Sequence, residues 1–318
     1  MKILFSAPFN FIKSKILSYP EVDQHHIHFH EIWKKEDFTM DLSIYDCWIP
    51  NPGQNFIIDK EVLNKFKKLS IISTPSTGTN HIDLEICKEE DIKVFGLLDQ
   101  PGGLEKISAS AEFTFLKMLA QIRNLRLAWS EINHKRWREN EDDLRGREID
   151  EMHFGFIGLG RIGKKLTKFL SPFSPKSMTF YDPFIKEKPE NVSRASNMID
   201  IFKYSDLIVL CLGLNDQTKN LIDKNLLSVM KQDSILINTS RGEIINEIDL
   251  IAFLNKRKDV SFSADVIVGE VTDEHLSNPL VDLHKTGRIN LTPHIAGATI
   301  GSQTKAALLA LKAIFNNE

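Results

Sequence analysis

The run Phe154-Gly155-Phe156-Ile157-Gly158-Leu159-Gly160-Arg161-Ile162-Gly163 joins a short apolar strand to a G-x-G-x-x-G turn, and residues 164–170 read as a helix directly behind it. That context gives the glycines their meaning. Gly158 permits a tight turn, Gly160 lets a pyrophosphate approach the backbone, and Gly163 allows the helix to pack closely on a sheet. The helix N-terminus behind the turn presents N–H groups without intrahelical partners, which suit phosphate oxygens, and Arg161 and Ile162 stand with the glycines among the expected cofactor-binding residues. Asp182 follows nineteen residues after Gly163, at the end of the next strand candidate, Ser177–Tyr181. A carboxylate there accepts hydrogen bonds from ribose hydroxyls and repels a 2′-phosphate, so the pattern predicts NAD rather than NADP as cofactor.

Outward from this turn, apolar runs alternate with amphipathic stretches. Strand candidates fall at 206–212 (DLIVLCL), 234–238 (SILIN), 260–266 and 289–291, with helical stretches at 225–230 and 247–256 between them. The N-terminal third repeats the rhythm at 1–5, 27–29, 45–49 (YDCWI), 69–73 and 92–95. Such alternation predicts parallel sheets with helices on their faces, hence an α/β fold of two doubly wound units. The breaker cluster Asp99-Gln100-Pro101-Gly102-Gly103 suits a hinge, and one long helix is expected from Ser108 to about Ala128. Residues 303–315 read as a closing helix.

Composition removes other classes. The chain has 318 residues, 40 Lys+Arg against 43 Asp+Glu, 42% hydrophobic and 26% charged residues, so disordered, collagenous and coiled-coil readings fall away. At roughly 100–200 residues per domain, two domains are expected. A net charge of −3 offers no electrostatic footprint for nucleic acid. No apolar run reaches the ~20 residues of a membrane span, and Pro8, Asn10, Lys13 and Lys15 interrupt any signal-like segment. Cys47, Cys87 and Cys211 form no C-x-x-C pair, so neither a disulfide framework nor a cysteine metal site is indicated. A cytoplasmic protein is the expectation.

Three further segments carry chemistry: Asn238-Thr239-Ser240-Arg241-Gly242, then Ala264-Asp265-Val266-Ile267-Val268-Gly269-Glu270, then Thr292-Pro293-His294-Ile295-Ala296-Gly297. Reduction of a 2-oxo acid needs a hydride at C2, a proton on the oxygen and a fixed carboxylate. Histidine titrates near neutral pH and suits the proton transfer. A glutamate hydrogen-bonded to the imidazole would orient the ring and favour its charged form. Arginine offers a planar fork for the carboxylate.

In this order, after a glycine fingerprint, these segments resemble the D-isomer-specific 2-hydroxyacid dehydrogenases, the family that includes D-3-phosphoglycerate dehydrogenase, over nearly the whole chain. The resemblance implies that Arg241, Glu270 and His294 are catalytic, and that Thr239 and Asp265 lie near the nicotinamide. It also implies that the turn Ser76-Thr77-Gly78-Thr79-Asn80 grips the substrate carboxylate through backbone N–H groups, with Thr77, Gly78 and Thr79 at its centre. Residues 1–103 with 296–318 would form a discontinuous substrate-binding domain and 104–295 an NAD-binding Rossmann domain, with the active-site cleft between them. Hinge closure would exclude water and bring the Gly78 turn toward Arg241 and His294. A small 2-hydroxy or 2-oxo acid is the implied partner, and the helix after Ser108 is the expected dimerisation arm of a homodimer. The rival from another class is a non-catalytic NAD(H)-sensing regulator of the same fold.

The sequence departs from the family pattern in four places. Residues 50–55 (PNPGQN) carry no cation where phosphoglycerate dehydrogenases have an arginine, which argues against a phosphorylated substrate. Residues 96–110 run about five longer than the usual family spacing, and Gly213 and Val271 stand where proline is frequent. His26, His28 and His30 would share one face of a strand, and the expectation is an edge strand with Ile27 and Phe29 inward rather than a metal surface. Trp137 is expected to pack the mixed-charge run 135–147, Cys211 to lie inert in a strand, and Phe5, Phe9, Phe11, Ile12 and Ile16 to be core.

Overall fold

In a computed structural model of the chain, residues 1–100, 102–272, 275 and 277–317 are described. Pro101, within the expected hinge, lies outside them. Two compact units emerge. One comprises Met1–Ile107, Val271–Asp273 and Ala298–Glu318, the other Ser108–Glu270 and Glu274–Gly297.

The first unit holds a parallel sheet of β1 (Lys2–Phe5), β2 (His26–Phe29), β3 (Cys47–Ile49), β4 (Ile71–Ser73) and β5 (Lys93–Phe95) in the order β2-β1-β3-β4-β5. Side chains alternate between two cores, as a period of two requires. Ile3, Phe5, Cys47, Ile49 and Ile71 point to one face, Leu4, Trp48 and Ile72 to the other. The Ile300–Phe315 helix covers the first face with Ala307, Ala310, Leu311 and Ile314 and packs on β3 and β4. It begins three residues earlier than expected because the Thr299 side chain caps it, accepting from the Ser302 N–H. β2 is an edge strand: Ile27 and Phe29 pack inward while His26 and His28 are exposed. Phe5, Ile12 and Ile16 are core, but Phe11 is exposed.

The second unit holds seven parallel strands: β6 (His153–Ile157), β7 (Ser177–Tyr181), β8 (Ser193–Arg194), β9 (Leu207–Leu210), β10 (Ile235–Asn238), β11 (Ser261–Ala264) and β12 (Asn290–Leu291), ordered β12-β11-β10-β9-β6-β7-β8. Ile157 pairs with Leu210 on one side and Tyr181 on the other, so the order reverses at β6/β9. Crevices at such switch points bind ligands. The central strands are apolar throughout because both faces are covered. Ile208, Leu210, Leu236 and Phe262 face one core, Phe154, Phe156, Val209 and Ile237 the other. Truncating Phe156 to alanine in so dense a setting costs about 3–5 kcal/mol.

The long helix expected after Ser108 is two, Ala109–Ile122 and Leu125–Asn133. Asn124 breaks it at φ +47° with its side-chain amide donating to the Arg145 carbonyl, a conformation asparagine tolerates better than most residues. Trp137 does not pack the segment that follows, being 74% exposed. Buried Glu131 organises it, accepting from Arg136 and Asn140. Cys211 lies one residue beyond β9, partly exposed, and burial of its thiol pushes the pKa up to about 12, so it stays protonated and inert. Among the described residues no helix is long and apolar enough to cross a membrane, and none group as three metal-ligating side chains.

Candidate active site

The glycine turn leaves β6 at the switch point. Gly158 adopts φ +88°, and a Cβ there would lie 2.6 Å from the Cys211 carbonyl oxygen. A Cβ on Gly163 would come within 2.9 Å of the Gly158 oxygen, which fixes the Arg161–Leu170 helix against the turn. Gly160 differs, for a Cβ there would meet nothing within 4 Å. The backbone at Gly160 therefore stands open beside a helix start, a cradle that fits a pyrophosphate. Asp182 does more than was expected of it. Its carboxylate accepts the N–H of Leu159 at 2.9 Å and those of Phe184 and Ile185 at 2.9 and 3.2 Å, tying the glycine turn to the end of β7.

The next turn follows β10. Buried Asn238 accepts from the Ser240 N–H and donates to the Arg241 carbonyl, and Ser240 donates to the Leu210 carbonyl. Gly242 is obligatory by contact, since a Cβ would sit 2.2 Å from the Ile267 backbone. These constraints present Arg241 beyond the strand, where, among the described residues, its guanidinium donates to the neighbouring Ser240 carbonyl. Thr239 shares a 2.7 Å hydroxyl contact with Thr114 of the Ala109–Ile122 helix.

Asp265 follows β11 and is 1% exposed. Its carboxylate accepts the N–H of Ile295 at 3.1 Å, the N–H of Ala296 at 2.7 Å and the Thr292 hydroxyl. Its carbonyl accepts the His294 N–H at 2.8 Å. The loop carrying His294 is thus bolted to the strand end from both sides of the histidine, with His294 held at φ +50°. The imidazole Nδ1 lies 2.9 Å from Glu270 Oε1, Glu270 being mostly buried and the ring half exposed. Glu247 steadies the turn before Glu270, accepting from the Val268 N–H and the Asn278 amide. Burial raises the Glu247 carboxyl above its ordinary range despite these donors.

The profile of the family "D-isomer specific 2-hydroxyacid dehydrogenase, NAD binding domain" matches residues 115–296. The chain belongs to that family. It is 30% identical to the formate dehydrogenase of Candida boidinii over 86% of this chain and 76% of that one. With the glyoxylate reductase of Thermofilum pendens it shares 32% identity over 80% and 74% of the two chains. The solved NAD-dependent formate dehydrogenase of Staphylococcus aureus superposes with a TM-score of 0.80 at 24% identity, covering 100% of this chain and 96% of that one.

The dehydrogenase brings Gly158, Gly160, Arg161, Ile162, Gly163, Asp182, Thr239, Arg241, Asp265, Glu270 and His294 into one unit, at the carboxyl ends of its strands. Thr77, Gly78 and Thr79 belong to the other unit, after β4. Among the described residues their N–H groups meet no protein acceptor, and the Ser76 hydroxyl bonds the Gly78 carbonyl, leaving a nest of free amides. In the segment without a cation, Asn51 and Gln54 are turned inward, donating to the Ile32 and Phe56 carbonyls. Sequence reasoning gave no role to Asn238, Ser240, Thr114 or Lys117. The first two sit beside Arg241 in a polar run, a signal for a braced turn. Thr114 and Lys117 interrupt an apolar helix three residues apart.

Proposed function

We propose that this dehydrogenase interconverts a small, unphosphorylated D-2-hydroxy acid and its 2-oxo acid. The 2.9 Å contact between His294 Nδ1 and Glu270 Oε1 carries the reading. With Nδ1 engaged, Nε2 is the nitrogen left to trade a proton with the substrate oxygen. The fit of the glycine cradle and Asp182 to a dinucleotide supports NADH as the partner, and NADH, when bound, supplies the hydride. His294 protonates the carbonyl oxygen as charge develops on it, and Glu270 holds the ring for that transfer. Arg241 clamps the carboxylate and polarises the carbonyl. The free amides of Thr77, Gly78 and Thr79 take a carboxylate oxygen.

Formate oxidation, the activity named for two of the similar proteins, yields carbon dioxide and a hydride with no oxygen to protonate. A histidine held by a glutamate has no proton to transfer in it, whereas 2-oxo acid reduction requires that transfer. The absence of a cation among residues 50–55 supports an unphosphorylated side chain. The exposed apolar residues Leu127, Trp129 and Ile132 of the Leu125–Asn133 helix support a second copy of the chain as the partner that covers them.

The test is NADH oxidation with glyoxylate, hydroxypyruvate, pyruvate and 3-phosphohydroxypyruvate, set beside NAD+ reduction by formate. Turnover of an unphosphorylated 2-oxo acid, lowered about 10²–10⁴-fold in His294→Asn, is expected. Tight NADH binding without turnover of any of the four, or formate as the preferred substrate, overturns the reading. Light scattering of the wild type and Trp129→Glu tests the dimer, which the substitution is expected to dissociate.

A further inference from the structure

Lys117 lies inside the apolar helix Ala109–Ile122 and is 6% exposed, its ammonium donating to the Ser263 hydroxyl of β11 at 3.2 Å. A buried ammonium is costly to keep. Ser263 stands two residues before Asp265, the residue that bolts the His294 loop, and residues two apart in extended chain share a face. Thr114, one helical turn earlier, meets Thr239. One face of a single helix therefore touches both strand ends that carry the reaction.

We propose that Lys117 is a positioning residue for His294: its ammonium supports the Asp265 carboxylate, and through it the loop of residues 292–296. This deepens the acid–base reading given above and rests on it. Neutral donors alone hold Asp265 from the loop side, two N–H groups and one hydroxyl, and Lys117 supplies the positive charge. The elements packed on the Lys117 helix are Leu125–Asn133, Arg161–Leu170, β10 and β11. Arg126 and Glu131 are engaged by the His284 carbonyl and by Arg136, Lys165 by the Ser108 hydroxyl. Arg161, Lys164 and Lys168 share that second helix, and β10 and β11 contain no titratable residue. Among the described residues, the field acting on Lys117 is that of Asp265. Burial pushes the lysine pKa down to about 8, with Asp265 opposing the shift. Its charge is consequently lost just above neutral pH.

Hydroxy-acid oxidation reads that charge. His294 accepts the substrate proton there, and Lys117 governs the alkaline limb of kcat. The wild type is expected to lose about tenfold in kcat as pH rises through 8, the scale of a modest misplacement of a catalytic group. Lys117→Gln and Lys117→Met, which lack the charge at every pH, are expected to show that reduced kcat already at pH 7. They should have no alkaline limb, a KM within about twofold and unchanged NADH affinity. The same variants are read without turnover by the imidazole signals of histidine-labelled, full-length protein, assigned with His294→Asn. The wild-type His294 signal is expected to inflect near pH 8 and the variant signals not to. An alkaline limb retained in both variants, or a His294 signal identical to wild type across pH 7–9, overturns the proposal. If no 2-oxo or 2-hydroxy acid is turned over at all, the acid–base reading fails instead, and the imidazole signals still decide the role of Lys117.

Discussion

Two aspartates are buried at opposite ends of the same seven-stranded sheet, and they are held by different partners. Asp206 stands just before β9, 4% exposed, paired with Lys231 at 2.5 Å and Arg147 at 3.1 Å and accepting the His153 N–H. Asp265 stands just after β11, 1% exposed, and is held by the N–H groups of the histidine loop. At the amino end the cations reach in from solvent on long stems, and the pair fastens β6 to β9. At the carboxyl end the partners are two N–H groups and one hydroxyl of a single loop, so the carboxylate fixes a shape. An acid bound by mobile side chains stabilises, and one bound by amides positions.

The sharpest way to break this contrast is to change the positioned end. His294→Asn is expected to lower kcat by about 10²–10⁴ while leaving the unfolding transition close to that of the wild type, checked by steady-state kinetics and thermal unfolding. Asp206→Asn is its converse. It should destabilise by about 2–3 kcal/mol in urea titrations and leave kcat within about twofold. A large loss of kcat in the second, or of stability in the first, would erase the distinction between the two ends.

Lys117 sharpens the comparison in the alkaline range. Its folded pKa of about 8 lies below the ordinary 10.5, so unfolding takes up a proton between those values. Stability relative to Lys117→Met should therefore rise with pH across that window, by up to ~3 kcal/mol, measured as the pH dependence of the difference in unfolding free energy. The acidic counterpart is smaller. Burial alone would raise the Asp206 carboxyl, but the Lys231 ammonium, the His153 N–H and the Arg147 guanidinium outweigh it and hold it below the ordinary 3.8. Its contribution is full above that ordinary value and lost as pH falls through the lower folded one. Relative to Asp206→Asn, the wild type should lose its advantage only below about pH 4.

What the sequence made legible was chemistry that short spacing dictates. Gly158, Gly160 and Gly163 must sit where a turn meets a helix. Arg241, Glu270 and His294 are residue types that reduction of a 2-oxo acid demands together. Polar residues inside apolar stretches were harder to read. Lys117 looks like a lone lysine in a largely apolar helix, and only the packing of that helix on β11 shows it to be buried. Asn124 ended a helix that periodicity alone extended to about Ala128, because its left-handed backbone is a property of conformation and not of hydropathy. Trp137 was expected to pack, yet Glu131 organises its segment through hydrogen bonds that composition does not reveal. Asp182 and Asp265 were read through a ligand, while their backbone partners became visible only once the turns were folded.

The backbone of His294, held at φ +50°, has a consequence for engineering. L-residues give up about 1–2 kcal/mol to sit in that region, asparagine, aspartate and histidine less than most. His294→Gly would relieve that strain but lose the contact with mostly buried Glu270 and add the chain entropy of glycine, so it offers no clear gain in stability and removes the catalytic imidazole. A library meant to harden the protein must keep position 294 fixed and seek its gains elsewhere.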